Sequence, residues 1–305
     1  LLPDTYIWKV KLFSIPNLLT LGNLLCGCLA IVFAFEVNLV WSAYLVGIAC
    51  VFDFLDGFVA RALKIHSPIG KDLDSLADMV TFGVVPGVVM FQILKWSIPL
   101  VFGDVDIGLR FLVDYGDLNS KWNIPDQGSW MRFIPYLAFL FPIFSALRLA
   151  KFNNDSRQSD SFIGVPTPAN SIFICSIPLI LHFNHAHMSV MSGMQFASNS
   201  SDLNYYEANG VQQFMMNWTT DIFGSWKILT GIVFLFSFLL ISEIPLFALK
   251  FKKFGWKGNE IRYVFLALCL MMIVLLKFIA MPLIIVLYIL MSVVNNMIRS
   301  NSSNG

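Results

Sequence analysis

Apolar runs of bilayer-crossing length recur along the whole chain, and that repetition constrains the fold more than any other feature. They occupy roughly 16–35, 39–60, 74–96, 131–150, 169–183, 227–249, 261–276 and 279–297. A helix rises about 1.5 Å per residue, so ~20 mostly apolar residues cross the hydrocarbon core. The last two runs form one stretch from Tyr263 to Val294, interrupted by Lys277. That stretch exceeds a single crossing and predicts two short spans.

Composition agrees. Of 305 residues, 57% are hydrophobic and 13% charged. Soluble domains carry about 25% charge, so this chain cannot cover a water-facing surface of its size. A net charge of +1 excludes the basic footprint of a nucleic-acid partner. The five cysteines lie inside apolar runs, without the spacing of a disulfide frame or zinc site. The expected fold is all-α, a polytopic membrane bundle of about eight transmembrane helices. An N-terminal interfacial helix precedes it, carrying Lys9 and Lys11 among aromatic residues.

Orientation follows from the basic residues. With both termini on the cytoplasmic side, Lys95, Arg110, Lys121, Arg132, Lys227 and Lys277 fall outside, and the other fourteen of the twenty fall inside. Two long outer loops then cover about 97–130 and 184–226. The run Lys250, Lys252, Lys253 and Lys257 becomes a juxtamembrane patch suited to anionic membrane lipids. Glu243, inside the sixth run, must be paired or turned inward.

Residues 51–78 hold what membrane helices avoid, a concentration of acids: Asp53 and Asp56 near the end of the second span, Asp74 and Asp78 near the start of the third. Spacings of three, four and seven put Asp53, Asp56, Gly57 and Ala60 on one helical face. Asp74 and Asp78 share a face, with Gly70 one turn earlier. Asp72 points away. Four converging carboxylates need a cation, and their oxygens suit hard divalent ions, Mg²⁺ or Mn²⁺. Arg61 can pair with a phosphate or with one of the acids.

The string Asp53-x-x-Asp56-Gly57-x-x-Ala60-Arg61, eight residues, then Gly70-x-x-x-Asp74-x-x-x-Asp78 resembles the signature of the CDP-alcohol phosphatidyltransferases at every fixed position. Three further stretches resemble the phosphatidylserine synthase branch: IPNLLTLGNLLCG at 15–27, ALRLAKFN at 146–153 and FIGVPTPAN at 162–170. The resemblance covers about 12–183. It implies a catalytic core over 1–183, followed by an outer loop over 184–226 and C-terminal transmembrane helices over 227–305.

The resemblance also implies roles. Asp53, Asp56, Asp74 and Asp78 would hold two divalent ions, with Asp78 also the general base. Gly57, Ala60, Arg61 and Gly70 would line the nucleotide pocket, and Asn17 and Thr20 would contact the CDP phosphates. The implied reaction moves a phosphatidyl group from CDP-diacylglycerol to L-serine, in a homodimer of the bacterial inner membrane. Arg148 and Lys151, three apart, are cations for the serine carboxylate, with Asn153 beside them. Charge alone leaves glycerol 3-phosphate or an inositol phosphate as alternative acceptors. A divalent-cation transporter is the alternative from another class, although its site belongs near the bilayer midplane.

Overall fold

The computed structural model describes residues 13–64, 68–98, 131–154, 162–196, 218–219, 221–247, 255 and 259–303. Ser14 caps α1 (Ile15–Phe35) by accepting from the Asn17 N–H, and Pro16 sits in the first turn, where no donor is needed. A tight turn through Val37, at φ 68°, returns the chain, and Asn38 caps α2 (Leu39–Ala62) by accepting from the Trp41 N–H. Small buried residues (Ala30, Ala34, Ala43, Ala49) let membrane helices approach closely.

The third span is not one regular helix. α3 (Pro68–Asp78) passes into a π-helical segment, Met79–Val84, and then into α4 (Val85–Ser97). Pro86 explains the wide turn. It has no N–H for the Phe82 carbonyl, and its ring would strike that carbonyl in a regular helix. The Val85 N–H instead reaches back five residues to Val80 O. α4 is the most enclosed helix of the bundle, with Val89, Met90, Ile93 and Leu94 all buried.

A 3₁₀ segment, Met131–Phe139, leads into α5 (Leu140–Asn154). α5 crosses the π segment and α4 where glycines face it: a Cβ on Gly87 would stand 2.9 Å from Pro142 Cδ, and one on Gly83 3.1 Å from Ser145 Cβ. There follow β1 (Phe162–Ile163), α6 (Thr167–Phe196), α7 (Trp226–Ile241), β2 (Pro245–Leu246), α8 (Glu260–Leu276) and α9 (Ala280–Ser303). β1 and β2 pair antiparallel, Phe162 opposite Leu246. Apolar side chains such as Leu25, Leu29, Phe54, Leu270 and Val274 face outward, as lipid contact requires. The molecule is an all-α polytopic membrane protein, with a helix for each of the eight predicted runs.

Three boundaries differ from the sequence reading. The sixth run leaves the helix at Ser242, not 249, so Glu243 lies beyond the helix end and is exposed. α6 continues to Phe196, through the first thirteen residues assigned to the outer loop. The helix that holds Asp74 begins at Pro68, six residues before the predicted run. The split at Lys277 is present: this residue has φ 50°, and Phe265 and Tyr288 on the two arms approach to 5.6 Å between ring centroids. The N-terminal interfacial stretch, the loop over 99–130 and the basic run from Lys250 to Lys257 lie outside the described residues.

Candidate active site

α1 contributes a polar stripe to an otherwise apolar helix: Asn17, Thr20 and Asn23, three residues apart and all buried. The stripe faces the acids. The Thr20 hydroxyl donates to Asp56 Oδ2 at 2.6 Å, with the Pro16 carbonyl at 3.1 Å as its other acceptor. Asn23 Nδ2 donates to Asp78 Oδ1 at 3.3 Å, and the Asn23 carbonyl accepts from the Thr81 hydroxyl at 3.2 Å. One turn on, Gly27 lets the π segment close onto α1, for a Cβ there would collide with Thr81 Oγ1. These contacts fix two acids from α1, a helix that carries none itself within its span.

Asp53, Asp56 and Asp74 come together, each offering an oxygen within 4.8 Å of the others. Asp56 is buried, and Asp53 and Asp74 are half-buried. Asp78, one turn beyond Asp74, lies outside this trio and is held by Asn23. Asp72 is exposed and apart from it. Two carboxylate charges at 4.8 Å repel by roughly 3.5 kcal/mol at an effective dielectric near 20. No Lys or Arg among the described residues forms an ion pair with any of the four acids. An ion pair lies elsewhere, between Lys151 and Glu243. Three clustered hard oxygen donors, none of them paired directly with a Lys or Arg among the described residues, fit a divalent cation.

Gly57 and Ala60 are half-buried on the Asp56 face of α2. The exposed Arg61 folds back so that its Nη1 lies 3.3 Å from where a Gly57 Cβ would stand. Gly70 is half-buried one turn before Asp74.

The three acceptor candidates separate. Arg148 is 8% exposed, feels the charge of Asp78, and has an Nε without a hydrogen-bond partner. Lys151 is exposed and pairs with Glu243 Oε1 at 2.9 Å. Asn153 ties α5 to α3: its Nδ2 donates to Ser75 Oγ at 2.9 Å and its carbonyl accepts from Lys71 Nζ at 3.1 Å. Asn23 Oδ1, like Arg148 Nε, is buried and unpartnered. Sequence reasoning missed Asn23, Thr81 and the Glu243 contact. The signal for Asn23 was there, since it continues the three-residue spacing of Asn17 and Thr20.

Comparison with known proteins follows the same residues. A family model described as CDP-alcohol phosphatidyltransferase matches residues 13–197. The CDP-diacylglycerol–serine O-phosphatidyltransferase of Helicobacter pylori strain J99 is 31% identical over 165 residues, 53% of this chain and 56% of that protein. The Bacillus subtilis protein of that name is 30% identical over 154 residues, 50% of this chain and 69% of its own length. That of Methanocaldococcus jannaschii is 27% identical over 164 residues, 54% of this chain and 60% of its own. The match thus spans little more than half of the Helicobacter protein.

Proposed function

Because the chain belongs to the CDP-alcohol phosphatidyltransferase family, we propose that it transfers a phosphatidyl group from CDP-diacylglycerol to L-serine, releasing CMP. The observation that carries the serine reading is the pair of unpartnered buried atoms near Asp78: a donor, Arg148 Nε, and an acceptor, Asn23 Oδ1. A zwitterionic amino acid offers a carboxylate to the first and an ammonium to the second. Glycerol 3-phosphate and inositol phosphates have no ammonium and offer the Asn23 oxygen a neutral hydroxyl at most, a weaker donor than a charged one. The names of the relatives point the same way.

Two divalent ions, Mg²⁺ or Mn²⁺, held by Asp53, Asp56, Asp74 and Asp78, would supply charge neutralisation at the diphosphate. Arg61, Gly57, Ala60 and Gly70 border the nucleotide, Asn17 lies toward its phosphates, and Thr20 holds Asp56 through its hydroxyl. Arg148 orients the acceptor. The serine hydroxyl oxygen attacks the lipid-side phosphorus, the bond from that phosphorus to CMP breaks, and the hydroxyl proton passes to Asp78. Asn23 holds Asp78 in place, so positioning contributes more than basicity. The site opens to the cytoplasm of a bacterial inner membrane, with both termini on that side and the lipid tails left in the bilayer. A homodimer is the expected assembly.

The test is CMP release from CDP-diacylglycerol by purified protein with Mn²⁺ or Mg²⁺, each acceptor supplied alone. Release is expected with L-serine, abolished in Asp78→Asn and retained in Asp72→Asn. Release with glycerol 3-phosphate only would overturn the serine reading. No release with any acceptor would favour cation transport.

A further inference from the structure

The helices after residue 197, outside the matched stretch, do more than widen the bundle. We infer that residues 242–247 brace the acceptor end of α5, and that Lys151 and Glu243 are positioning residues for the acceptor. The inference rests on the proposed transfer reaction.

The brace begins where α7 stops. A helix end leaves carbonyls without partners, and here the segment after α5 supplies donors: the Val165 N–H reaches Leu239 O at 3.2 Å, and the Gly164 N–H reaches Ile244 O at 3.0 Å. Gly164 has φ +75°, and a Cβ on it would stand 2.8 Å from Ser242 O. Any side chain would therefore push the two segments apart. Beyond Gly164 the β1–β2 pairing continues the seam.

α9 secures the other side. Tyr288, Ser292 and Asn296, four apart, form one face. The Tyr288 hydroxyl donates to Phe247 O at 2.8 Å, Ser292 Oγ accepts from the Phe247 N–H at 3.4 Å, and Asn296 Nδ2 donates to Pro245 O. These side chains satisfy backbone groups as a third strand would. Glu243, held within this segment, meets Lys151 at 2.9 Å. Across α5, Asn153 is bound to Ser75 and Lys71 of α3, the helix of Asp74 and Asp78. The end of α5 is thus gripped between the catalytic helix and the brace, one turn from Arg148.

The experiment uses the full chain in lipid, with L-serine varied at saturating CDP-diacylglycerol and metal. Glu243→Gln should raise the serine KM about fivefold, the most an exposed pair supplies, with kcat and the KM for CDP-diacylglycerol unchanged. The exchange Lys151→Glu with Glu243→Lys should recover most of it. Tyr288→Phe with Ser292→Ala should reproduce the KM shift and speed hydrogen exchange at the Gly164 and Val165 amides. A silent Glu243→Gln, or an exchange variant as impaired as Lys151→Gln with an unchanged melting temperature, would overturn the inference by making Lys151 a direct acceptor contact. If wild-type protein uses another acceptor, serine transfer fails and the brace is judged by that acceptor's KM. If it uses none, the amide exchange rates decide.

Discussion

Thr20 and Asn23 each direct a neutral donor at an acid in a region with few protein cations. A hydrogen bond to a charged group is worth about 1.5–3 kcal/mol, and partners behind metal ligands typically change metal affinity or activity by 10–100-fold. Thr20→Val keeps the shape and removes the 2.6 Å contact with Asp56. The Mn²⁺ concentration for half-maximal CMP release should rise by about tenfold or more, with the KM for CDP-diacylglycerol little changed. A rise in the lipid KM alone would instead assign Thr20 to the nucleotide phosphates. The four aspartates were legible because their spacing is a helical one. The donors behind them were less so, since Asn23 in an apolar helix reads as an isolated polar residue until its three-residue relation to Thr20 is noticed.

The π segment joins two demands on one stretch of chain. Asp78 must stay in register with Asp74, while Thr81 and Gly83 must meet α1 and α5 closely. Gly27→Ala tests the closeness. Its added methyl meets Thr81 Oγ1 and lies 3.0 Å from Thr81 Cα, and overpacking of this kind costs about 1–3 kcal/mol. A lower melting temperature in detergent is expected, recovered in part by adding Thr81→Ala. An unchanged melting temperature would show that α1 and the π segment can separate freely. Hydropathy located the long apolar helices among the described residues because burial in lipid is a property of whole runs. It could not locate the π turn, which changes hydrogen-bond register without changing polarity. The end of α7 was missed for a related reason. Ile244, Leu246 and Phe247 prolong the apolar run, although Pro245 already argues against a continuing helix.

In the molecule as a whole, the chemistry gathers toward one end of the helices, on the first four runs, and the last four flank it. α8 and α9 are fastened to the rest at two levels. Toward one end, Phe278 stacks on Phe183 of α6 with centroids 4.5 Å apart. Toward the other, Tyr288 and Ser292 hold Phe247. A member pinned at two depths cannot tilt independently, so a bilayer thinner or thicker than its apolar length loads both pins, at a fraction of a kcal/mol per Å of mismatch. The serine KM should therefore pass through a minimum across bilayers of graded acyl length, and Tyr288→Phe with Ser292→Ala should flatten that profile. Identical profiles in the two proteins would refute the linkage. If serine is the acceptor, two hydroxyls on α9 thus make the thickness of the surrounding membrane a variable that affinity for a water-soluble substrate registers.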